Sequence, residues 1–153
     1  MHRYRATTTW QGSTGVGYEH FVRDHSGAAP PAEPVLQLSG DAAFRGDPGR
    51  LNPEQLVVLA ASSCQLLSFL AIAARARIDV VDYHDEATGE MPTEARPARI
   101  TSIVLHPRIT VRGTVDPARV ERLVALAHDE CYVANSLITE ITVAPVIEVL
   151  PPA

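Results

Sequence analysis

The sequence contains no lysine, because all 13 of its basic residues are arginine. Schiff-base enzymes and enzymes with a lysine general base are therefore excluded, since both need a lysine amine. Acidic residues number 18, which gives a formal net charge of −5. Because acidic residues outnumber basic residues, the composition does not indicate a basic surface, and we expect no nucleic-acid partner.

The chain also lacks an apolar segment after its positively charged N-terminal residues, and a secretory signal would require one. Its longest apolar-rich stretch, residues 56–74, is interrupted by Ser62, Ser63, Gln65 and Ser68. Such a stretch is more typical of a buried helix than of a bilayer span, which needs about 20 predominantly apolar residues. We therefore expect a cytoplasmic protein with no membrane partner.

Cysteine is sparse, with Cys64 and Cys131 as the two examples. In the reducing cytoplasm, a cysteine pair favours redox or metal chemistry over a structural disulfide. A free cysteine is also often a small buried core residue. The residue count alone leaves both interpretations open.

The 153 residues are 46% hydrophobic and 20% charged, which suits one globular domain with its own core, residues 1–153. Asn52, Pro53 and Gln55 form a helix start with a capping box. Asp116-Pro117 repeats the cap-and-proline pattern. Both faces of the first helix are apolar, which predicts a central position, and Pro107 suggests an edge strand or a bulge. The predicted order is strands at 5–10, 17–25 and 35–38, a helix at 53–77, strands at 79–91 and 100–112, a helix at 117–131 and a strand at 141–149. This order predicts an α+β fold.

Cys64 lies about twelve residues into the first predicted helix, too far from its start to benefit from the helix dipole. A reactive thiolate there needs a cation, and without lysine that cation is arginine or a protonated histidine. The small neighbours Ala60, Ala61 and Ser68 leave space for a second molecule or a second chain.

Metal binding is the competing hypothesis for the same residues. His128 and Cys131 have a plausible ligand spacing, and Cys64 or His84 would complete the site. The absence of a CxxC motif and of a second clustered pair argues against a metal site, and we expect no bound metal.

Glu54 lies in the first turn of the same helix, where a carboxylate is favourable in any case. Ten residues at a rise of 1.5 Å place it about 15 Å from Cys64 along the axis. Glu54 would therefore act on the thiol only through an extended arginine or from another subunit, and the second possibility predicts a dimer.

Two motifs carry a family resemblance. The first is NPEQL at 52–56 followed by AASSC at 60–64, and the second is CYVANSL at 131–137. With their order and spacing, they resemble the OsmC/Ohr family of osmotically inducible and organic hydroperoxide resistance proteins. The likeness extends from about Ala6 to Val149.

This resemblance implies an intertwined α+β homodimer, in which central long helices pack against antiparallel sheets and the active sites lie at the subunit interface. It implies that Cys64 is the peroxidatic cysteine, Cys131 the resolving cysteine, and Glu54 the residue that positions a catalytic arginine. It further implies an organic hydroperoxide substrate, no bound cofactor and an external dithiol reductant.

The sequence departs from the family pattern in the position of the catalytic arginine. Gly12-Ser13 and Ala43 occupy the places where the two branches of the family carry it. Arg45 would point to the same side as Ala43 of an extended segment, displaced by about 6.6 Å, so it is the first candidate, and Arg23 is the second. The departure leaves open an alternative function, in which an OsmC-like scaffold binds a small apolar ligand with weak or no peroxidase activity.

Overall fold

A computed structural model describes residues 1–152, which divide into two compact units, one comprising Met1–Leu56 and the other beginning at Val57. The first unit contains an antiparallel three-stranded sheet in the order β1-β2-β3. Its strands are β1 (Thr7–Thr9), β2 (His25–Ala28) and β3 (Val35–Leu38). The predicted third strand is confirmed, and the first is shorter than predicted.

The strand predicted at 17–25 is wrong. Arg23 instead folds the segment back on itself, with its guanidinium 4.9 Å from the ring centroid of Tyr18 and 3.8 Å from that of Phe21. The same guanidinium donates hydrogen bonds to the carbonyl oxygens of both residues, at 2.6 and 2.5 Å. These contacts hold the backbone in turns, so β2 begins only at His25.

Polar bonds organise the loop after β3. The buried Ser39 hydroxyl donates to Asp24 at 2.9 Å and accepts the N–H of Asp47 at 3.0 Å. In the same loop the backbone passes so closely that a Cβ atom on Gly46 would lie 1.6 Å from the carbonyl oxygen of Gly40. Only glycine fits at this position, because any side chain would collide with fixed backbone.

The long helix α1 (Pro53–Arg75) begins as predicted. The Asn52 side chain accepts the N–H of Gln55 at 2.8 Å, and the Gln55 side chain accepts the N–H of Asn52 at 3.0 Å. This reciprocal pair confirms the capping box. The helix ends two residues earlier than predicted, and Arg77 follows in the left-handed region, with φ of 58°.

Two further sheets and a second helix complete the chain. The elements are β4 (Asp79–Asp85), β5 (Thr88–Glu90), β6 (Ser102–Leu105), β7 (Pro107–Arg112), α2 (Pro117–Asp129), β8 (Glu140–Val143) and β9 (Val146–Leu150). The sheets have the orders β4-β7-β9 and β5-β6-β8. The α+β class is therefore confirmed, and each of the last three predicted strands is split in two.

These two sheets are mixed, with parallel as well as antiparallel pairs. β6 pairs with β8 in parallel, and β7 pairs with β9 in parallel. The chain crosses through α2 between the members of each pair, and such a crossover returns a strand in the same direction. Pro107 is neither on an edge nor in a bulge, because it opens the central strand β7, a position that tolerates proline.

The inner face of α1 packs into two apolar clusters. In the first, Phe69 and Ile72 contact buried side chains of β7 and α2, and in the second Ala61 contacts those of β6 and β8. Burying a side chain such as Phe69 stabilises the fold by roughly 1.5–3 kcal/mol. The predicted central position is met on this inner face, whereas the opposite face of α1 is open within this chain, since Leu59 and Leu67 are 58% and 64% exposed.

By length and composition alone α1 is apolar enough to cross a membrane, with a mean hydropathy of 2.1 over its most apolar 18 residues. The core helix of a globular protein meets the same criterion, and α1 buries one face against sheets and a helix. The apolar character of α1 therefore does not by itself indicate a membrane span.

Candidate active site

Cys64 lies at the middle of α1, half-buried, beside a groove of about 500 Å³. One wall is formed by α1 and the other by the segment that follows α2. The lining residues are Ala60, Ser63, Cys64, Leu67, Ser68, Ala71, Ile72, Arg75, Glu130, Tyr132 and Val133. Of the three small residues predicted to leave space around the thiol, Ala60 and Ser68 line the groove, whereas Ala61 is buried in the core.

Cys131 is held by the turn that ends α2. Its N–H donates to the carbonyl of His128 at 3.1 Å, and its carbonyl accepts the N–H of Asn135 at 2.9 Å. The Asn135 side chain donates to the carbonyl of Asp129 at 2.8 Å. The second motif is therefore a compact turn that fixes the position of Cys131, which is 1% exposed.

The two cysteines are neighbours within the second unit. Both are free thiols, and Cys64 is close enough to Cys131 to raise the pKa of the Cys131 thiol. Burial raises the pKa of Cys131, the N–H of Ala134 at 3.5 Å from its sulfur lowers it, and the neighbouring Cys64 raises it further. Cys131 therefore favours the neutral thiol, and it must lose this proton when it condenses with an oxidised neighbour, because the thiolate is the nucleophile.

Neighbouring side chains anchor the middle of α1. The Ser62 hydroxyl donates to one oxygen of Asp85 at 2.5 Å, and the other oxygen of Asp85 accepts the N–H of His106 at 2.7 Å. On the other side of Cys64, the Gln65 amide donates to the carbonyl of Val124 at 3.1 Å. Asp85, at the end of β4, thereby anchors α1 beside Cys64.

The other predicted site residues belong to the first unit. Glu54 is half-buried, and its Oε2 atom is buried without a hydrogen-bond partner among the described residues. Arg45 forms an ion pair with Glu19. Arg23 donates to the carbonyls of Phe44, Phe21 and Tyr18. Each arginine is thus already bonded within its own unit.

Arg75 also lines the Cys64 groove, although it is not among the predicted site residues. Helix periodicity could have indicated it. Cys64 and Arg75 are eleven residues apart, and eleven steps of about 100° make three turns and about 20°, so their side chains lie on one face of α1. Its position in the last turn of α1 offers a simpler explanation, since a cation there also stabilises the helix dipole.

Within residues 1–152, no group of three or more His, Cys, Asp or Glu side chains is arranged to hold a metal ion. His84, considered as a ligand, lies with its Nε2 atom 3.5 Å from Glu86. His128 has a buried Nδ1 atom without a partner in the described chain. The metal hypothesis therefore gains no support from the geometry.

Residues 46–145 match the sequence profile of the OsmC-like protein family. The chain belongs to the OsmC-like family. The resemblance seen in the two cysteine motifs is thereby confirmed. No curated protein matches the chain at a significant level.

Solved structures agree with this assignment. An OsmC-like protein of unknown function from Vibrio cholerae O1 biovar eltor is 28% identical with a TM-score of 0.86, over 95% of this chain and 100% of that one. An organic hydroperoxide resistance protein from Elizabethkingia anophelis is 17% identical with a TM-score of 0.72, over 98% of each chain. One from Legionella pneumophila is 16% identical with a TM-score of 0.68, over 97% and 98%. The last two establish the shared fold alone.

Proposed function

We propose that this OsmC-like protein is a thiol-dependent peroxidase that reduces organic hydroperoxides to alcohols. The observation that carries the proposal is that Cys64 and Cys131 are neighbouring free thiols, with Cys64 at a groove that a second molecule can enter. A half-buried thiol beside a buried partner thiol is the arrangement that a two-cysteine peroxidase requires.

In the first step the Cys64 thiolate attacks the distal oxygen of the hydroperoxide. The O–O bond breaks, the leaving alkoxide takes a proton and departs as an alcohol, and Cys64 becomes a sulfenic acid. In the second step the Cys131 sulfur attacks the Cys64 sulfur, a disulfide forms and water leaves. An external dithiol, oxidised to its own disulfide, then returns both cysteines to thiols.

The lining of the groove supports an organic rather than an inorganic peroxide. Leu67, Ala71 and Ile72 present apolar side chains beside Cys64, and burial of apolar substrate surface there contributes about 25 cal/mol per Å². Solved proteins of the same fold bear the name organic hydroperoxide resistance protein, which is consistent with this class of substrate.

We further propose that the active form is a homodimer. The outer face of α1 exposes Leu59 and Leu70 at 58% and 38%, and a second copy would cover such a face. In a dimer, Glu54 and either Arg45 or Arg23 of the other subunit would act on the Cys64 thiol.

The Leu59→Glu variant is expected to be a monomer in sedimentation velocity. Glu121→Gln on exposed α2 surface is the control, and an unchanged dimer in Leu59→Glu would contradict this interface.

The peroxidase proposal is tested with the reduced protein and one equivalent of cumene hydroperoxide. We expect both thiols to disappear, one equivalent of cumyl alcohol to form, and a Cys64–Cys131 peptide pair to appear in a non-reducing digest. Dithiothreitol should restore both thiols. Two titratable thiols after the treatment would overturn the proposal.

A second candidate function is a scaffold that binds a small apolar ligand without efficient peroxidase activity. It is favoured by the bonding of Arg23 and Arg45 within their own unit, which occupies the cations that the thiolate needs. Saturable binding of cumyl alcohol together with unreacted thiols would favour the scaffold over the peroxidase.

A further inference from the structure

We propose that Gln65 is a positioning residue that holds Cys131 in place to condense with Cys64. This inference rests on the proposed peroxidase function and concerns its second step, in which the disulfide forms. Gln65 follows Cys64 directly in α1 and is 1% exposed. Its Nε2 atom donates a hydrogen bond to the carbonyl of Val124 in α2 at 3.1 Å.

This bond joins the two elements that carry the cysteines. The N–H of Glu130 donates to the carbonyl of Leu126, and that of Cys131 donates to the carbonyl of His128, both at 3.1 Å. Helical bonding therefore continues from α2 to Cys131. Seven residues separate Val124 from Cys131, which is close to two turns, so both side chains lie on the buried face of α2. A shift of Val124 along α1 would therefore carry Cys131 with it.

Other contacts between the two helices do not fix their relative position as closely. Phe69 and Ile72 of α1 share an apolar cluster with buried side chains of α2. Such packing is non-directional, so it holds the helices together without setting one against the other along their axes. Arg119 of α2 also donates to the carbonyl of Ala76, just after α1, but that bond is exposed and remote in sequence from both cysteines. The Gln65 bond is buried beside Cys64, and a hydrogen bond allows only a narrow range of lengths and angles.

The axial position of the helices matters because a disulfide has strict geometry. The two Cα atoms must lie about 4.4–6.8 Å apart, with the Cβ atoms directed towards each other. A slip of one residue along a helix moves a side chain by about 1.5 Å. Misplacement of reacting groups by about 1 Å can slow a reaction by about 100-fold. A bond that fixes Cys131 against Cys64 therefore bears directly on the condensation step.

Stability does not explain a glutamine at this position. The Oε1 atom of Gln65 is buried without a hydrogen-bond partner in the described chain, and an unpaired buried acceptor costs free energy. The carbonyl of Val124 lies inside α2, where it also accepts the N–H four residues ahead. Gln65→Met would therefore remove one unpaired atom and create none. A structural role predicts that this variant is less stable, whereas a positioning role predicts weaker disulfide formation without a loss of stability.

The test measures the equilibrium of the reduced protein with glutathione disulfide. The two protein thiols pass two electrons and two protons to glutathione disulfide, which yields the Cys64–Cys131 disulfide and two molecules of glutathione. The equilibrium constant reports the effective concentration of one thiol at the other. We expect Gln65→Met to lower it about tenfold, which corresponds to about 1.4 kcal/mol. The free energy of unfolding of the reduced variant in urea should not fall.

Ser62→Ala is the matched control, because it removes a tertiary hydrogen bond of α1 two positions before Cys64 but leaves the link to α2 intact. It should lower stability and change the equilibrium constant by less than about twofold, since its partner Asp85 belongs to β4. Gln65→Asn is the second test variant. Its amide is one methylene shorter and does not reach Val124, so it should lower the equilibrium constant as Gln65→Met does.

An unchanged equilibrium constant in Gln65→Met or in Gln65→Asn would overturn the proposal. So would an equal fall in Ser62→Ala, or a loss of stability in Gln65→Met as large as that in Ser62→Ala. The glutathione measurement uses no peroxide, so it separates this failure from failure of the peroxidase function. If cumene hydroperoxide leaves both thiols titratable while Gln65→Met lowers the equilibrium constant, the peroxidase function falls and the positioning of the thiols stands. If peroxide is consumed and the equilibrium constant is unchanged, the positioning role alone falls.

Discussion

The surroundings of Cys64 and of Cys131 differ in almost every physical respect. Cys64 lies inside an uninterrupted helix, half-buried, at a groove that a small molecule can enter. Cys131 lies in a turn after a helix, 1% exposed, with a backbone N–H directed at its sulfur. The difference in accessibility therefore determines the order in which the two thiols can react. A small molecule that enters the groove can reach Cys64, whereas Cys131 can react only with a group already held beside it.

The largest expected effect tests the accessible member of the pair. Cys64→Ser should lower the rate of cumene hydroperoxide consumption by on the order of 1,000-fold or more, because a hydroxyl replaces the nucleophilic thiolate. The measurement is peroxide loss with dithiothreitol as reductant. Retention of more than a tenth of the rate would mean that Cys64 is not the attacking group.

The buried member should fail at a different step. Cys131→Ala should still consume one equivalent of peroxide, and Cys64 should then accumulate as a sulfenic acid, because no thiol is beside it to condense. Dimedone labelling detected by mass spectrometry checks this outcome. Absence of the dimedone adduct, with peroxide consumed, would contradict the assigned order of the two cysteines.

The pH response should also distinguish the two thiols. Burial raises the pKa of Cys131 and Cys64 adds to the rise, so the folded protein holds the proton on Cys131 more tightly than the unfolded chain does. The resulting stability is fully present below the unfolded value of about 8.5 and is lost as the pH rises through the folded pKa.

Urea unfolding between pH 7 and pH 10.5 tests this sign. The unchanged protein should lose more stability over this range than Cys131→Ala, in which the titrating thiol is absent. The raised pKa of Tyr83, caused by burial and then by Asp85, acts in the same direction in both proteins and cancels from the comparison. Equal losses would show that the Cys131 thiol does not change its pKa on folding.

The smallest effect concerns the anchor of α1. Asp85→Asn weakens the hydrogen bond from Ser62 and should cost about 1–2 kcal/mol of the free energy of unfolding, as measured with urea. Asp82→Asn, on the exposed side of the same strand, is the control and should change it by less than about 0.5 kcal/mol. If the two variants were equally stable, the hydrogen bond between Ser62 and Asp85 would make no net contribution to the free energy of unfolding.

Local signals allowed the elements that bear the cysteines to be predicted well. Each helix start depends on residues within three positions of one another, namely Asn52 with Gln55 and Asp116 with Pro117. Tertiary contacts therefore do not change what these local signals predict. The strand at 17–25 failed for the opposite reason. Arg23 forms cation–π contacts and carbonyl hydrogen bonds that strand propensity does not represent, and these override the local preference.

By itself the sequence determined the family, the α+β class, the two helices and the pair of cysteines, because each follows from local residue patterns and spacing. Only the tertiary structure decided that Cys64 and Cys131 are neighbours and that two sheets are mixed. Those facts depend on contacts between residues up to 67 positions apart. Such contacts are set by how the apolar faces of α1, α2 and the sheets pack together, and no local pattern encodes that packing.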